Sequence, residues 1–445
     1  MNSQHDYVLR TVEERDVRFI RLWFTDITGA LKSVDMSPAE LENAFEEGVG
    51  FDGSSVEGFS RVAESDTIAM PDPSTFKIMS SESENESLLT ARMFCDIVQP
   101  DGSPSLVDPR YILRRQVQEA ADDGFTCMVG PEIEFYLLQQ TDDPADLQPT
   151  DNGGYFDQST MNLAPEFRRT AIQMLENLGI VTEFSHHETS PGQQEIDLRH
   201  TDALTMSDNI MTFRYLIKKV AQQQGARATF MPKPHKDWTG SGMHTHMSLF
   251  EGDSNAFHDP DDEFCLSTTA KQFIAGILHH APELTAVTNQ WVNSYKRLMF
   301  GKEAPGAATW GVSNRSAMVR VPTYRLNKPE SRRVEIRSLD SSANPYLAYS
   351  VLLAAGLRGI REGYELGDPA EDNVQELTRR ERRAMGYIDL PNSLDHALRK
   401  LEKSDFMAEV LGENVFEFFL RSKWQEFRAY QEHITPFELH NNLNI

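Results

Sequence analysis

Cysteine is scarce in this 445-residue chain: Cys95, Cys127 and Cys265 are the only three, and none lies in a Cys-x-x-Cys pair. That excludes a disulfide framework or a zinc–thiolate centre as the basis of the fold, and the three read as inert small hydrophobes. Basic charge is short as well. Lys and Arg number 43 against 68 Asp and Glu, a net charge of −25. Such a surface repels phosphate backbones and anionic lipid, which argues against nucleic acid and membrane as partners; an anionic nucleotide would need a local cluster of metal and arginine. No apolar run approaches the length of a membrane span, and MNSQHDYVLRTVEERD lacks the basic-then-apolar pattern of a secretory leader. A cytoplasmic protein is therefore expected. Internal repeats are absent too.

What is present is enough apolar sequence, 39%, for a substantial core, over a length that exceeds a typical single domain. Two parts are expected, residues 1–105 and 106–445. In the first part RFIRLWFTD and ALKSVDM read as strands. Ser37-Pro38-Ala39-Glu40 follows as a capping box opening a helix that Gly48 closes, then FDGSS as a flexible loop and SSESENES as a solvated acidic loop. In the second part Asp108-Pro109 opens a helix ending at Gly124, TCMVGPEIEFYLL is a strand, and Asn344-Pro345 caps an apolar helix. Strands and helices do not alternate regularly, so the expected class is α+β with a mostly antiparallel sheet.

Chemistry concentrates in five short stretches: Glu132 and Glu134 in GPEIEF, Glu188 in SHHE, Glu195 in GQQE, His244 in SGMHTHMS, and Glu335 in RRVEIR. A strand sends every second side chain to one face, so Glu132 joins Glu134, His244 joins His246 and Ser248, and Arg333 joins Glu335 and Arg337. Any one of these glutamates taken alone reads as an ordinary exposed strand residue. Taken together in apolar strands they are expensive to bury without partners. Five carboxylates and an imidazole without a thiolate favour Mg²⁺ or Mn²⁺, in numbers sufficient for two ions around a phosphoryl group.

Arg297, Arg315, Arg320, Arg333 and Arg337 stand near these motifs, and arginine forks onto carboxylate or phosphate. Surface ion pairing is the usual fate of such residues, and Arg297 and Arg315 alone would read that way. Three loops add candidates: Glu303 in KEAP as a base, Asp52 and Ser55 in FDGSS, and Gly240 and Gly242, which let backbone approach a ligand. His279-His280 with Glu283, in a helix interrupted by Pro282, lacks zinc-helix spacing, and DSNAFHDPDDEF does not follow calcium-loop spacing.

In their order, FDGSS, GPEIEF, HHE with GQQE, TFMPKP, SGMHTHMSLF, NSYKRL, EAP, NRSA, RRVEIR and NPYLA resemble the class I bacterial glutamine synthetases along almost the whole chain. The short Glu188–Glu195 spacing is similar to the subtype without adenylylation control, and the texture resembles the second actinobacterial paralogue. The resemblance implies a small N-terminal β-grasp domain and a larger catalytic domain with a curved, mostly antiparallel sheet. It also implies a homo-dodecamer of two stacked hexameric rings, with active sites between subunits. By the same resemblance Glu134, Glu188 and Glu195 hold a first Mg²⁺ or Mn²⁺, and Glu132, His244 and Glu335 hold a second. Glu183, His246, Ser248, Arg320 and Arg333 take ATP. Gly240, Arg297, Glu303, Arg315 and Arg337 take L-glutamate, while Asp52, Ser55 and Glu188 form the ammonium pocket.

The implied reaction makes γ-glutamyl phosphate from glutamate and ATP, which ammonia converts to glutamine. Arg315 and Arg333 spread the transferring charge, and Glu303 closes as a flap. Some positions depart from the family pattern: Gln375 replaces the adenylylated tyrosine, Glu330 a nucleotide-contacting lysine, Thr239 an asparagine and Phe59 a tryptophan. Arg61 falls where feedback sensing is expected. Two alternatives stand beside glutamine synthesis: a glutamate–amine ligase acting on polyamines or ethanolamine, and a non-catalytic paralogue.

Overall fold

The structure, a computed structural model, describes residues 3–56, 66–79, 89–143, 145–158, 163–299, 304–323 and 328–445. Strands β1 (Val17–Thr25), β2 (Leu31–Met36), β3 (Val49–Asp52), β4 (Asp66–Pro71), β5 (Lys77–Met79) and β6 (Leu89–Val98) build one sheet. Its order is β2-β1-β6-β4-β3, with β5 on β6, and β1–β6 is the parallel pair. Two departures from expectation fall here. Pro38–Glu40 forms a 3₁₀ turn, with Ser37 accepting from the Ala39 amide, before the helix Leu41–Glu47. FDGSS begins as the edge strand β3 rather than as a loop, because it pairs with β4. SSESENES, Phe59 and Arg61 lie outside the described residues.

The second sheet is built on the long strand β7 (Thr126–Gln139), with β8 (Thr182–His187), β9 (Gln193–Leu198), β10 (Thr201–Asp202) and β11 (Ala226–Thr229). Further along the chain come β12 (Met243–Glu251) and β13 (Ser254–Asn255), while β14 (Ala307–Ala308) pairs separately with β18 (Ile388–Asp389). Then β15 (Trp310–Val312), β16 (Val319–Val321) and β17 (Val334–Ile336) extend it to the order β15-β16-β17-β12-β7-β9-β8. Every pair along this order but β15–β16 is antiparallel. The α+β architecture expected from the sequence is therefore present.

Helices cover one face of this sheet, and Ile133 and Phe135, which alternate with Glu132 and Glu134, are fully buried in the core. The helix Thr268–Thr288 runs through Pro282 without interruption and packs on Pro345–Glu362. Asn344 caps the latter, accepting from the Tyr346 amide at 3.1 Å, and donates to the carbonyls of Asp26 and Ile27 in the first sheet's unit. Buried Arg110 makes a second tie: its guanidinium holds Asp208 and also Asp72 and Asp96.

The two long helices touch through glycines. A Cβ on Gly276 would lie 2.1 Å from the Ala355 carbonyl oxygen, and one on Gly359 would lie 2.2 Å from that of Gln272. Because both obstacles are backbone, overpacking cannot be relieved by a rotamer change. Gly276→Ala should lower unfolding stability by about 1–3 kcal/mol, measured by chemical denaturation. Gly367→Ala, with nothing within 4 Å of its added Cβ, should change little, and equal effects would contradict this packing.

Candidate functional site

Antiparallel pairing puts directly opposed residues on one face of a sheet, with Cβ atoms about 4.5–5.5 Å apart. Here that rule assembles the site. Glu335 opposes His246, His244 opposes Glu132, Glu134 opposes Glu195, and Glu195 opposes His186. A row of acids and imidazoles thus crosses β17, β12, β7, β9 and β8 and forms the floor of an open cleft of about 1440 Å³. Gly240, Arg297, Arg315, Arg320 and Arg337 line the same cleft, as does Glu188, one residue beyond β8.

Two groups in the row bring single ligand atoms within 4.8 Å of one another: Glu132, His244 and Glu335, and His186, Glu188 and Glu195. Glu134 stands beside the second, accepting from the Gly242 amide at 2.9 Å and from Gln193 Nε2 at 3.2 Å. These donors are carboxylate oxygens and imidazole nitrogens without thiolate, a set that suits Mg²⁺ or Mn²⁺.

The charges are unequal. Burial, then the neighbouring carboxylates of Glu195 and Glu188, push the Glu134 carboxyl well above the usual range. Burial pushes Asp197 up to about 10, with Glu195 and Glu132 adding to it. Burial would raise Glu132 as well, but hydrogen bonds from His244 and from His246, at 2.7 Å, hold it far below the ordinary value. In Glu335 the same opposition is won by Arg337, and both its oxygens carry guanidinium partners, Arg320 and Arg337. His244 is pushed down by burial and by Arg337.

Several sequence-derived candidates sit differently from their expected setting. Gly240 and Gly242 give room to Arg297: a Cβ on Gly240 would lie 2.5 Å from Arg297 Cγ, and one on Gly242 2.6 Å from Arg297 Nη2. The Arg297 guanidinium donates to the carbonyls of Ser338 and Arg337. Arg333 donates to His246 Nδ1 at 3.1 Å, and His246 in turn bonds Glu132, but neither Arg333 nor His246 is among the described residues that line the cleft. Ser248 is buried further along β12, and Glu183 is exposed on β8. Asp52 is not among the described residues that line the cleft; its carboxylate caps the 3₁₀ turn Gly53–Ser55. Glu303 lies outside the described residues. Gln375 lines the cleft and donates to the Ala304 carbonyl at 3.3 Å.

Other residues of the site escaped the sequence reading. His186 and Asp197 are each two residues from a chosen glutamate, and the same strand alternation would have found them. Tyr155 and Phe156 close one wall around the His186 ring, with Phe156 in the left-handed region at φ +62°. Asp151 holds their loop in place, accepting from His187 Nε2 at 2.8 Å and from the Gly192 and Gly153 amides. The local hint of this bend is Asn152-Gly153-Gly154, a generic turn sequence that carries no chemistry of its own.

Paired carboxylate–histidine groups amid arginines, in one cleft on an antiparallel sheet, have the donor chemistry for divalent cations beside anionic groups. Comparison with known proteins agrees. Residues 106–442 match the family model described as the glutamine synthetase catalytic domain, and residues 16–100 match the glutamine synthetase beta-grasp domain. A protein named glutamine synthetase from Mycolicibacterium smegmatis is 63% identical, covering 100% of both chains. One of the same name from Methanosarcina mazei is 44% identical over 98% of this chain and 97% of its own. Among solved structures, one titled "GmaS/ADP complex" superposes with TM-score 0.86 at 30% identity over 98% of this chain and 99% of that one. A Plasmodium falciparum glutamine synthetase gives TM-score 0.88 at 23% identity, over 98% of each chain, a likeness of fold. The chain belongs to the glutamine synthetase family.

Glu134 yields a prediction with a definite sign. A carboxyl whose folded pKa is raised contributes stability at low pH and loses it as pH rises, because the folded state then binds more protons than the unfolded one. Replacing it by an uncharged isostere removes that loss. With chelator present, Glu134→Gln should melt a few degrees higher than the unsubstituted protein, by a margin that grows between about pH 5 and 8. A variant that melts lower at the upper end of that range would contradict the account of the cluster.

Proposed function

We propose that this chain catalyses the ATP-dependent ligation of ammonium to L-glutamate through γ-glutamyl phosphate, giving L-glutamine, ADP and phosphate. The observation that carries this reading is the row of ligands on five adjacent strands, flanked by Arg297, Arg315, Arg320 and Arg337 in one cleft. Full-length likeness to proteins named glutamine synthetase supports it over a glutamate–amine ligase or a non-catalytic chain.

Glu134, Glu188 and Glu195, with His186 beside them, hold one Mg²⁺ or Mn²⁺, and Glu132, His244 and Glu335 hold a second. Two such ions supply charge neutralisation for the transferring phosphoryl group. His246, Ser248, Glu183, Arg320 and Arg333 take the nucleotide. Gly240, Arg297 and Arg337 orient glutamate so that its γ-carboxylate meets the γ-phosphoryl of ATP. Arg315 and Arg333 spread the charge developing there, and arginine suits this because it stays protonated and forks onto oxyanions. Asp52 and Ser55 receive ammonium and Asp52 takes its proton, with Glu188 completing the pocket. Glu303 closes over the acyl phosphate and excludes water.

Asp52 is not among the described residues that line its own chain's cleft, which is compatible with an ammonium pocket completed by a neighbouring copy. This fits a homo-dodecamer of two stacked hexameric rings. Residues 1–105 then serve as a β-grasp domain and 106–445 as the catalytic domain, in a cytoplasmic enzyme. No described helix is long and apolar enough to cross a membrane.

Phosphate release from ATP with Mg²⁺ and glutamate tests this reading, with ammonium compared against putrescine, spermidine and ethanolamine. Turnover is expected with ammonium, and Asp52→Ala should lower it by roughly 10²-fold. Turnover with a larger amine alone would move the function to γ-glutamyl-amine synthesis.

A further inference from the structure

On the wall above the second ligand group, four side chains form a hydrogen-bonded series whose direction is fixed by chemistry. Gln193 is buried to 1% exposure, and its Nε2 donates to Glu134 Oε2 at 3.2 Å and to the Gly240 carbonyl at 3.0 Å. The Gly240 carbonyl can only accept, so the amide nitrogen must face it. Its oxygen is left facing the Thr239 hydroxyl, and since an amide oxygen only accepts, Thr239 is the donor. Ser190 Oγ, 2.9 Å from Thr239 Oγ1, must then donate to Thr239, and it accepts in turn from the Thr239 amide at 2.7 Å. Tyr136 completes the clamp, its hydroxyl donating to the Thr239 carbonyl at 2.8 Å.

Resting on the reading of Glu134 as a cation ligand, we propose that Thr239 is a positioning residue for that ligand. Its hydroxyl fixes the Gln193 amide so that the N–H end holds Glu134 and the Gly240 carbonyl in the cleft wall. Glu134 needs such a hold. It lies against Glu195 and Glu188, and its orientation toward a cation shared with them rests on the donors that hold its Oε2. Those donors are the Gly242 amide and Gln193. Without the Thr239 hydroxyl, the buried Gln193 oxygen keeps only the Ser190 amide, at a long 3.4 Å. A poorly satisfied buried amide favours another rotamer, and Glu134 then loses one of its two restraints. Partners that orient a ligand in this way change metal affinity by about 10–100-fold when removed.

The test is Mn²⁺ titration of the full assembled enzyme, stripped of metal beforehand and read by electron paramagnetic resonance. Thr239→Val keeps the side chain's shape and removes the donor. It should weaken one of two Mn²⁺ sites by about 10–100-fold and leave the other unchanged, which reports an intact fold in the same sample. Thr239→Ser, which restores the hydroxyl, should bind as the unsubstituted protein does. If Thr239→Val only lowers the melting temperature and both sites bind normally, while Glu134→Gln weakens one, Thr239 has no positioning role. If Glu134→Gln itself leaves both sites unaltered, the ligand reading fails and takes this proposal with it.

Discussion

Strand register is the constraint on which the rest of this structure depends. A slip of one residue between β7 and either neighbour would turn every ligand of one strand to the opposite face. Glu132 would then point into the core where Ile133 now sits, and a buried carboxylate without partners is not tolerated there. The alternation of Ile133 and Phe135 with Glu132 and Glu134 therefore specifies both core and site at once. The helices Pro109–Asp122 and Ala203–Gln223 pack against β7, and the glycines Gly276 and Gly359 let two further helices, Thr268–Thr288 and Pro345–Glu362, approach each other closely.

The cost of this arrangement is repulsion, and the chain meets it differently at the two ends of the row. Around Glu335 it supplies cations of its own: Arg320 and Arg337 each take one carboxylate oxygen. Around Glu134 there is far less positive charge, and burial with two neighbouring carboxylates raises its pKa. The first group is thus balanced internally, while the second depends on protons or on a bound cation. An acidic chain that places its arginines in this cleft keeps the local field suited to anionic substrates despite its net charge of −25.

Much of the site was legible because strand periodicity is local. Glu132, Glu134, His244 and Glu335 announce themselves as polar residues at alternate positions within apolar strands. Which of them meet is another matter: Glu132 and His244 are joined across a long sequence separation by a register that periodicity alone does not give. Their grouping came from family resemblance. His186 and Asp197 follow the same period, each two residues from a glutamate of the site. The Thr239–Gln193 clamp had no local signature, since it depends on two segments distant in sequence meeting beside β7. In the fold, Pro282 misled because a proline costs a helix one hydrogen bond, a loss that packing against Pro345–Glu362 outweighs. FDGSS read as loop because glycine and serine favour turns, whereas its first residues gain a strand partner in β4.

The central claim is that one sheet carries two separate cation sites in register. Counting tightly bound Mn²⁺ per chain tests it most directly, in the unsubstituted protein and in Glu335→Gln and Glu188→Gln. The account predicts two ions in the first and one in each variant, with the two variants losing different ions. A single ion in the unsubstituted protein, or two retained in both variants, would contradict it.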